Sequence, residues 1–165
     1  MVTDASIFID LIDCDVLSPF FELPCQYYTT DYIWNELIPE QQLLLQPAID
    51  RGKLEIHDTD EHFLEYTSER NLSKSLSIAD RSVWYLTKIK GDILLTSDGA
   101  LRKMAKKHEI KTHGLLWIFE QMVKHNIVSP QLAITKLDLL FENNSYYRMN
   151  VKLMNAWEEL QNKWE

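Results

Sequence analysis

Cysteine is scarce: only Cys14 and Cys25 occur in 165 residues. Two thiols write no disulfide framework, so free thiols in a reducing compartment are the expected state. Glycine and proline are few as well, 4 and 5, and no stretch is of low complexity, so nothing marks a disordered linker or a second domain joined by one. Long apolar runs are missing. Leu115-Leu116-Trp117-Ile118-Phe119 is among the longest, far short of the ~20 residues of a membrane span. The first residues, Met1-Val2-Thr3-Asp4, hold neither a basic stretch nor an apolar one, so no secretory signal is expected and the chain is assigned to the cytoplasm. Basic charge is outnumbered, 17 Lys and Arg against 25 Asp and Glu, for a net charge of −8. Such a chain does not coat nucleic acid by bulk electrostatics. It remains free to gather carboxylates around cations and to keep its basic residues local.

Several chemistries are excluded the same way. The five histidines show no His-x-x-x-His spacing and no Cys-rich partner segment, which disfavours zinc. No Gly-rich phosphate loop, nucleophile elbow or Cys/His pair is written. Asp10, Asp13 and Asp15 are crowded but lack the glycine and terminal Glu of a calcium loop.

What is present alternates. Met1–Thr3 is β-compatible, and Asp4-Ala5-Ser6 breaks the run before a helical pattern opens at Ile7. Strands are expected at Cys25–Tyr28, Leu54–Ile56, Ile93–Thr96 and Ile110–Thr112. Between and after them come helices at 16–22, at Glu36 behind a Thr29 or Thr30 cap, and at 40–50, 60–70, 77–90, 100–108, 115–125 and 131–141. Gly52 and Gly91 end two of these helices, and Ser129-Pro130 starts the last. Ile93-Leu94-Leu95-Thr96 is continuously apolar up to Thr96, as a strand buried on both faces must be. The fold class that follows is α/β, a three-layer sandwich around a mainly parallel sheet. A single domain spanning 1–143 is expected to carry a C-terminal helical extension at 144–165.

Four carboxylates stand beside apolar elements: Asp4 after the first strand, Glu36 and Asp80 within helices, and Asp98 after the buried strand. Ligands of parallel sheets bind beyond the carboxyl ends of the strands, where Asp4 and Asp98 lie. If the four converge, mutual repulsion raises their pKa values unless a hard cation compensates. Each also has an ordinary role. Ser77-Ile78-Ala79-Asp80 is a capping box with Asp in place of Glu. Asp98 is placed to cap the following helix, and Glu36 alone reads as a surface residue.

The order and context of these four resemble the PIN-domain nucleases, especially the toxin ribonucleases of bacterial toxin–antitoxin pairs. The resemblance is carried by Asp4-Ala5-Ser6, by Tyr32-Ile33-Trp34-Asn35-Glu36-Leu37, by Leu76-Ser77-Ile78-Ala79-Asp80 and by Thr96-Ser97-Asp98. The run Leu101-Arg102-Lys103-Met104-Ala105 and then Ile110 and Gly114-Leu115-Leu116 add to it. It covers roughly Val2 to Leu140. It implies Mg²⁺, with Mn²⁺ as the alternative, held by Asp4, Asp80 and Asp98, and by Glu36 directly or through water. It further implies Ser6, Thr96 and Ser97 as hydrogen-bonding supports, RNA as substrate, a cognate antitoxin and a homodimer. Rival acid-site enzymes fail at the first strand: a haloacid-dehalogenase-type phosphatase needs Asp-x-Asp and a DEDD exonuclease Asp-x-Glu, where this chain has Asp4-Ala5-Ser6. The alternative that stands is a non-catalytic PIN-like module binding RNA or protein.

Two further features ask for a role. Arg102, Lys103, Lys106, Lys107 and Lys111 form a basic stretch beside Asp98, and Arg81 follows Asp80. Arg81, Arg102, Lys103 and Lys106 are candidates for RNA phosphates, weighed against a solvated helix face. Leu153, Trp157, Leu160 and Trp164 form a narrow apolar stripe that docks either on the chain's own core or at an interface.

Overall fold

The computed structural model describes residues 1–70, 72 and 75–164. It is an α/β protein whose five strands form one all-parallel sheet flanked by helices. The chain makes two compact units, one of residues 1–9 and 25–114 and the other of residues 10–24 and 115–165. Among the described residues no helix is long and apolar enough to cross a membrane.

The first unit holds the sheet: β1 (Val2–Thr3), β2 (Tyr27–Thr30), β3 (Leu54–His57), β4 (Leu94–Leu95) and β5 (Thr112–His113), in the order β3-β2-β1-β4-β5. β1 is central and both of its residues are fully buried, as are both of β4. The chain steps outward from β1 through β2 to β3, then returns to the other side of β1 for β4 and β5. The strand order therefore reverses between β1 and β4, and ligands of open parallel sheets collect at that crevice.

Helices of this unit start and stop where local chemistry says they must. In α3 (Asp31–Glu36) the Thr30 hydroxyl accepts the Ile33 N–H at 3.2 Å. α4 (Pro39–Asp50) opens with proline at its first position, where no amide hydrogen is needed. α5 (His62–Glu69) lies within the helix expected at 60–70. α6 (Ile78–Lys90) begins at Ser77 and ends at Gly91, whose φ of 63° is open to glycine at little cost. α7 (Gly99–Lys107) begins at Asp98. Val83 and Trp84 of α6 and Leu101 and Ala105 of α7 are fully buried.

In the second unit lie α2 (Leu17–Phe21), α8 (Leu115–Lys124), α9 (Pro130–Asn143), α10 (Ser145–Arg148) and α11 (Val151–Trp164), with the end of α1 (Ala5–Asp13). α11 settles on α9 through the stripe read in the sequence. Trp157 and Leu160 are buried, and Leu153 and Trp164 are half-buried. Trp157 stacks on Phe141, and its indole N–H donates to Asp138 Oδ1 at 3.0 Å, the oxygen that Gln161 Nε2 also reaches. A buried Trp whose one donor is met is both apolar filler and anchor.

Several boundaries differ from the sequence expectation. α1 starts at Ala5, two residues earlier than Ile7. β2 runs Tyr27–Thr30 in place of Cys25–Tyr28, because its register is fixed by pairing Tyr27 with Leu54 through Thr30 with His57. β5 is Thr112–His113 in place of Ile110–Thr112: the Ile110 N–H is taken by the Ala105 carbonyl at the exit of α7, which leaves Thr112 and His113 to pair with Leu94 and Leu95. Trp84 is fully buried, as expected of a core residue, whereas Trp117 is only half-buried.

Candidate active site

Asp4 follows the central strand directly, and its N–H donates to the Leu95 carbonyl of β4 at 3.0 Å. Its side chain thus stands at the sheet's reversal point. The residue is 4 % exposed. Two hydroxyls converge on one carboxylate oxygen: Ser6 Oγ donates to Asp4 Oδ2 at 2.6 Å and Thr96 Oγ1 at 2.8 Å. Burial raises the Asp4 pKa above the ordinary carboxylate value. The charge of Asp80 adds to the rise, while the bonds from Ser6, Thr96 and the Ala5 backbone oppose it without cancelling it.

Thr96, fully buried, works in two directions. Its hydroxyl donates to Asp4 and accepts the N–H of Asp98 at 3.0 Å. Ser97 N–H donates to Ser6 Oγ at 3.0 Å. The Ser6 and Thr96 side chains therefore tie the loop after β4 to Asp4, and Ser97 takes part through its backbone N–H. The Asp98 side chain is exposed at the start of α7, and its Oδ1 accepts the Leu101 N–H at 2.7 Å.

Asp80 completes the capping box: Ser77 N–H donates to Asp80 Oδ2 at 2.7 Å, and Asp80 N–H donates to Ser77 Oγ at 3.0 Å. The cap does not remove it from the site, since its charge is felt at both Asp4 and Glu36. Glu36, exposed at the end of α3, has its pKa raised by desolvation, then by Asp4 and by Asp80. Asp4, Glu36 and Asp80 thus share one field; Asp98 is tied to Asp4 only through its backbone N–H on Thr96, and its charge is not among those raising the Asp4 or Glu36 pKa. None of the four forms an ion pair with Lys, Arg or His among the described residues. Nor, among the described residues, do three His, Cys, Asp or Glu side chains come close enough to hold a metal ion as they stand.

A family model for the PIN domain matches residues 1–159. The chain belongs to the PIN-domain family. No curated protein matches it significantly in sequence. PIN domains are generally nucleases that use divalent metal ions. The match extends beyond Leu140, through α10 and into α11.

The basic candidates in this PIN domain are placed differently from one another. Lys103 and Lys106 are exposed on α7, Arg81 is half-buried on α6, and Arg102 is half-buried with its Nη1 donating to the Thr96 carbonyl at 3.2 Å.

One support of the candidate site in this PIN domain escaped the sequence reading. Thr30 Oγ1 and Ser82 Oγ lie 2.6 Å apart, both buried. Ser82 donates to the Ala79 carbonyl at 2.7 Å and Thr30 accepts from Ile33, so the shared proton is Thr30's. The chain of bonds joins the start of α3, which carries Glu36, to the first turn of α6, which carries Asp80. The available signal was Ser82 sharing with Ala79 and Val83 the buried side of α6. Ser82→Ala strands the buried Thr30 hydroxyl and is expected to cost about 1–3 kcal/mol. The check is a urea melt, with a lower midpoint at unchanged slope expected; an unchanged midpoint contradicts the bond.

Proposed function

We propose that this PIN domain is a metal-dependent endoribonuclease in which Asp4, Glu36, Asp80 and Asp98 serve one Mg²⁺ site, with Mn²⁺ as substitute. It hydrolyses RNA phosphodiester bonds and acts as the toxin of a toxin–antitoxin pair. The observation that carries the reading is the buried Asp4 carboxylate at the reversal of the strand order, with the charge of Asp80 acting on it and on Glu36 and no basic partner for any of them among the described residues. The donor set fits the ion. Mg²⁺ takes hard oxygen ligands, keeps several waters and needs only one or two carboxylates in direct contact. With Asp4 buried, Asp80 half-buried and Glu36 and Asp98 exposed, the set suits that water-rich mode better than a closed cage.

When bound, such a cation lowers the pKa of water and offsets charge on the phosphoryl oxygens. The chain's own residues hold the arrangement. Ser6 and Thr96 fix the Asp4 carboxylate, and Thr96 fixes the backbone of Asp98. Helix caps fix Asp80 and Asp98. Lys103, Lys106 and Arg81 are assigned to RNA phosphates, which position the strand without reading its sequence. A local basic helix reconciles RNA binding with a net charge of −8.

The purified chain should cut structured RNA in Mg²⁺ or Mn²⁺ and stop cutting when EDTA is added. A second reading, a non-catalytic RNA- or protein-binding module, draws on the capping roles already filled by Asp80 and Asp98. Binding without cleavage in either metal selects it. The toxin role is separable: expression alone should arrest growth, and co-expression of a small neighbouring reading frame should restore it. The homodimer belongs to the same proposal.

A further inference from the structure

We propose that Arg102 is a positioning residue of the acid site, and that glycine at 114 is what lets it take up that position. The functional half of this rests on the nuclease reading above; the structural half does not.

Arg102 lies one helical turn beyond Asp98, and its backbone N–H donates to the Asp98 carbonyl at 3.0 Å. Its guanidinium turns back to the end of β4, where Nη1 donates to the Thr96 carbonyl at 3.2 Å. Thr96 is the residue whose hydroxyl holds both the Asp4 carboxylate and the Asp98 N–H. The Thr96 peptide is therefore gripped on three sides: by His113, whose carbonyl accepts its N–H at 3.0 Å, by Arg102 at its carbonyl, and by Asp4 through its side chain. A bond from a guanidinium to a carbonyl is charge-assisted and stronger than a neutral one.

Gly114 supplies the space. A Cβ built there would stand 2.7 Å from Arg102 Nη1, while its next neighbour, the Thr96 carbonyl oxygen, is at an ordinary 3.6 Å. Gly114 is not among the glycines with positive φ, which are Gly52 and Gly91, so its backbone would tolerate a side chain. The missing methyl is needed for the guanidinium alone. Gly114 directly follows β5, so the guanidinium packed against it lies beside the end of that strand. A side chain committed in this way is a poor grip for RNA, unlike the exposed Lys103 and Lys106.

The test is a cycle of Arg102→Ala, Gly114→Ala and the double variant in the full chain, followed by metal-free melting, Mn²⁺ calorimetry and RNA kinetics. Because the clash is with the far end of a flexible side chain, Gly114→Ala should fold and simply expel the guanidinium. Each single variant should lower Tm by about 3 °C and weaken Mn²⁺ binding about tenfold. Both should lower kcat with KM for RNA unchanged. In the Arg102→Ala background, Gly114→Ala should add nothing. A Gly114→Ala effect of equal size in both backgrounds overturns the clamp. Wild-type Mn²⁺ affinity in Arg102→Ala, with raised KM and a salt slope reduced by about one, overturns positioning in favour of a phosphate contact. If the thermal coupling appears but the wild-type chain binds no Mn²⁺, the nuclease reading fails and the positioning role falls with it.

Discussion

Asp4→Asn is expected to lower kcat/KM for RNA by about 10²-fold or more while making the metal-free chain more stable. The two effects have one cause. Asp4 titrates higher in the folded chain than in the unfolded one, chiefly through burial and then through Asp80. Its stability contribution is most favourable when it is protonated and falls as pH rises through the interval between the two pKa values. The penalty therefore grows with pH across that interval. Asparagine has no charge to desolvate and keeps an oxygen for the Ser6 and Thr96 hydroxyls, so the penalty disappears. Each kcal/mol relieved raises Tm by roughly 2–4 °C for a chain of this size. The gain should shrink on acidification toward the ordinary carboxylate range, where the wild-type residue takes up its proton. Asp98→Asn supplies the contrast, since asparagine caps a helix as well as aspartate does: cleavage should be lost with stability nearly unchanged. Melting curves at pH 7 and pH 4 beside a cleavage assay check both; an Asp4→Asn chain that cuts RNA like wild type contradicts the assignment.

How much of this was legible in the sequence depended on how local the determining interaction is. Ser77 with Asp80, Gly91 and Ser129 marked helix ends correctly, and Thr30 proved to be the cap of the two threonines offered, because each cap is satisfied within three or four residues. The run ending at Thr96 announced a buried strand: Leu94, Leu95 and Thr96 are fully buried, and only Ile93 at its start is half-buried. What stayed hidden is set by partners far along the chain. β5 lies two residues later than Ile110 because β4 dictates its register. The strand order that puts Asp4 beside Thr96 is a property of the whole sheet. In the site itself, the acids could be chosen by residue type, context and resemblance. Arg102 could not be separated from Lys103 and Lys106, because only coordinates show one guanidinium turned inward over Gly114. The Thr30–Ser82 bond, 52 residues apart in sequence, was invisible for the same reason.

The largest effect on stability should come from metal. Carboxylates that repel one another in the free chain are relieved by a cation that binds only the folded state. At a metal concentration 100 times Kd that linkage is worth about 2.7 kcal/mol, or a rise in Tm of roughly 5–10 °C. Protons compete for the same oxygens. Because the Asp4 and Glu36 pKa values are raised, metal affinity should begin to fall at a pH above the ordinary carboxylate range, and the thermal gain should fade with it. Salt should erode the effect less than it erodes RNA binding, since Asp4 is shielded from solvent.

The most direct measurement is a Mg²⁺ and Mn²⁺ titration of Tm at neutral pH, run on the wild-type chain and on Asp4→Asn, Glu36→Gln, Asp80→Asn and Asp98→Asn. One shared site predicts a saturable rise for wild type, weakened by every one of the four substitutions and least evident in Asp4→Asn. A wild-type Tm that ignores both metals, or an Asp4→Asn chain stabilised as much as wild type, contradicts a single cation site built from these acids.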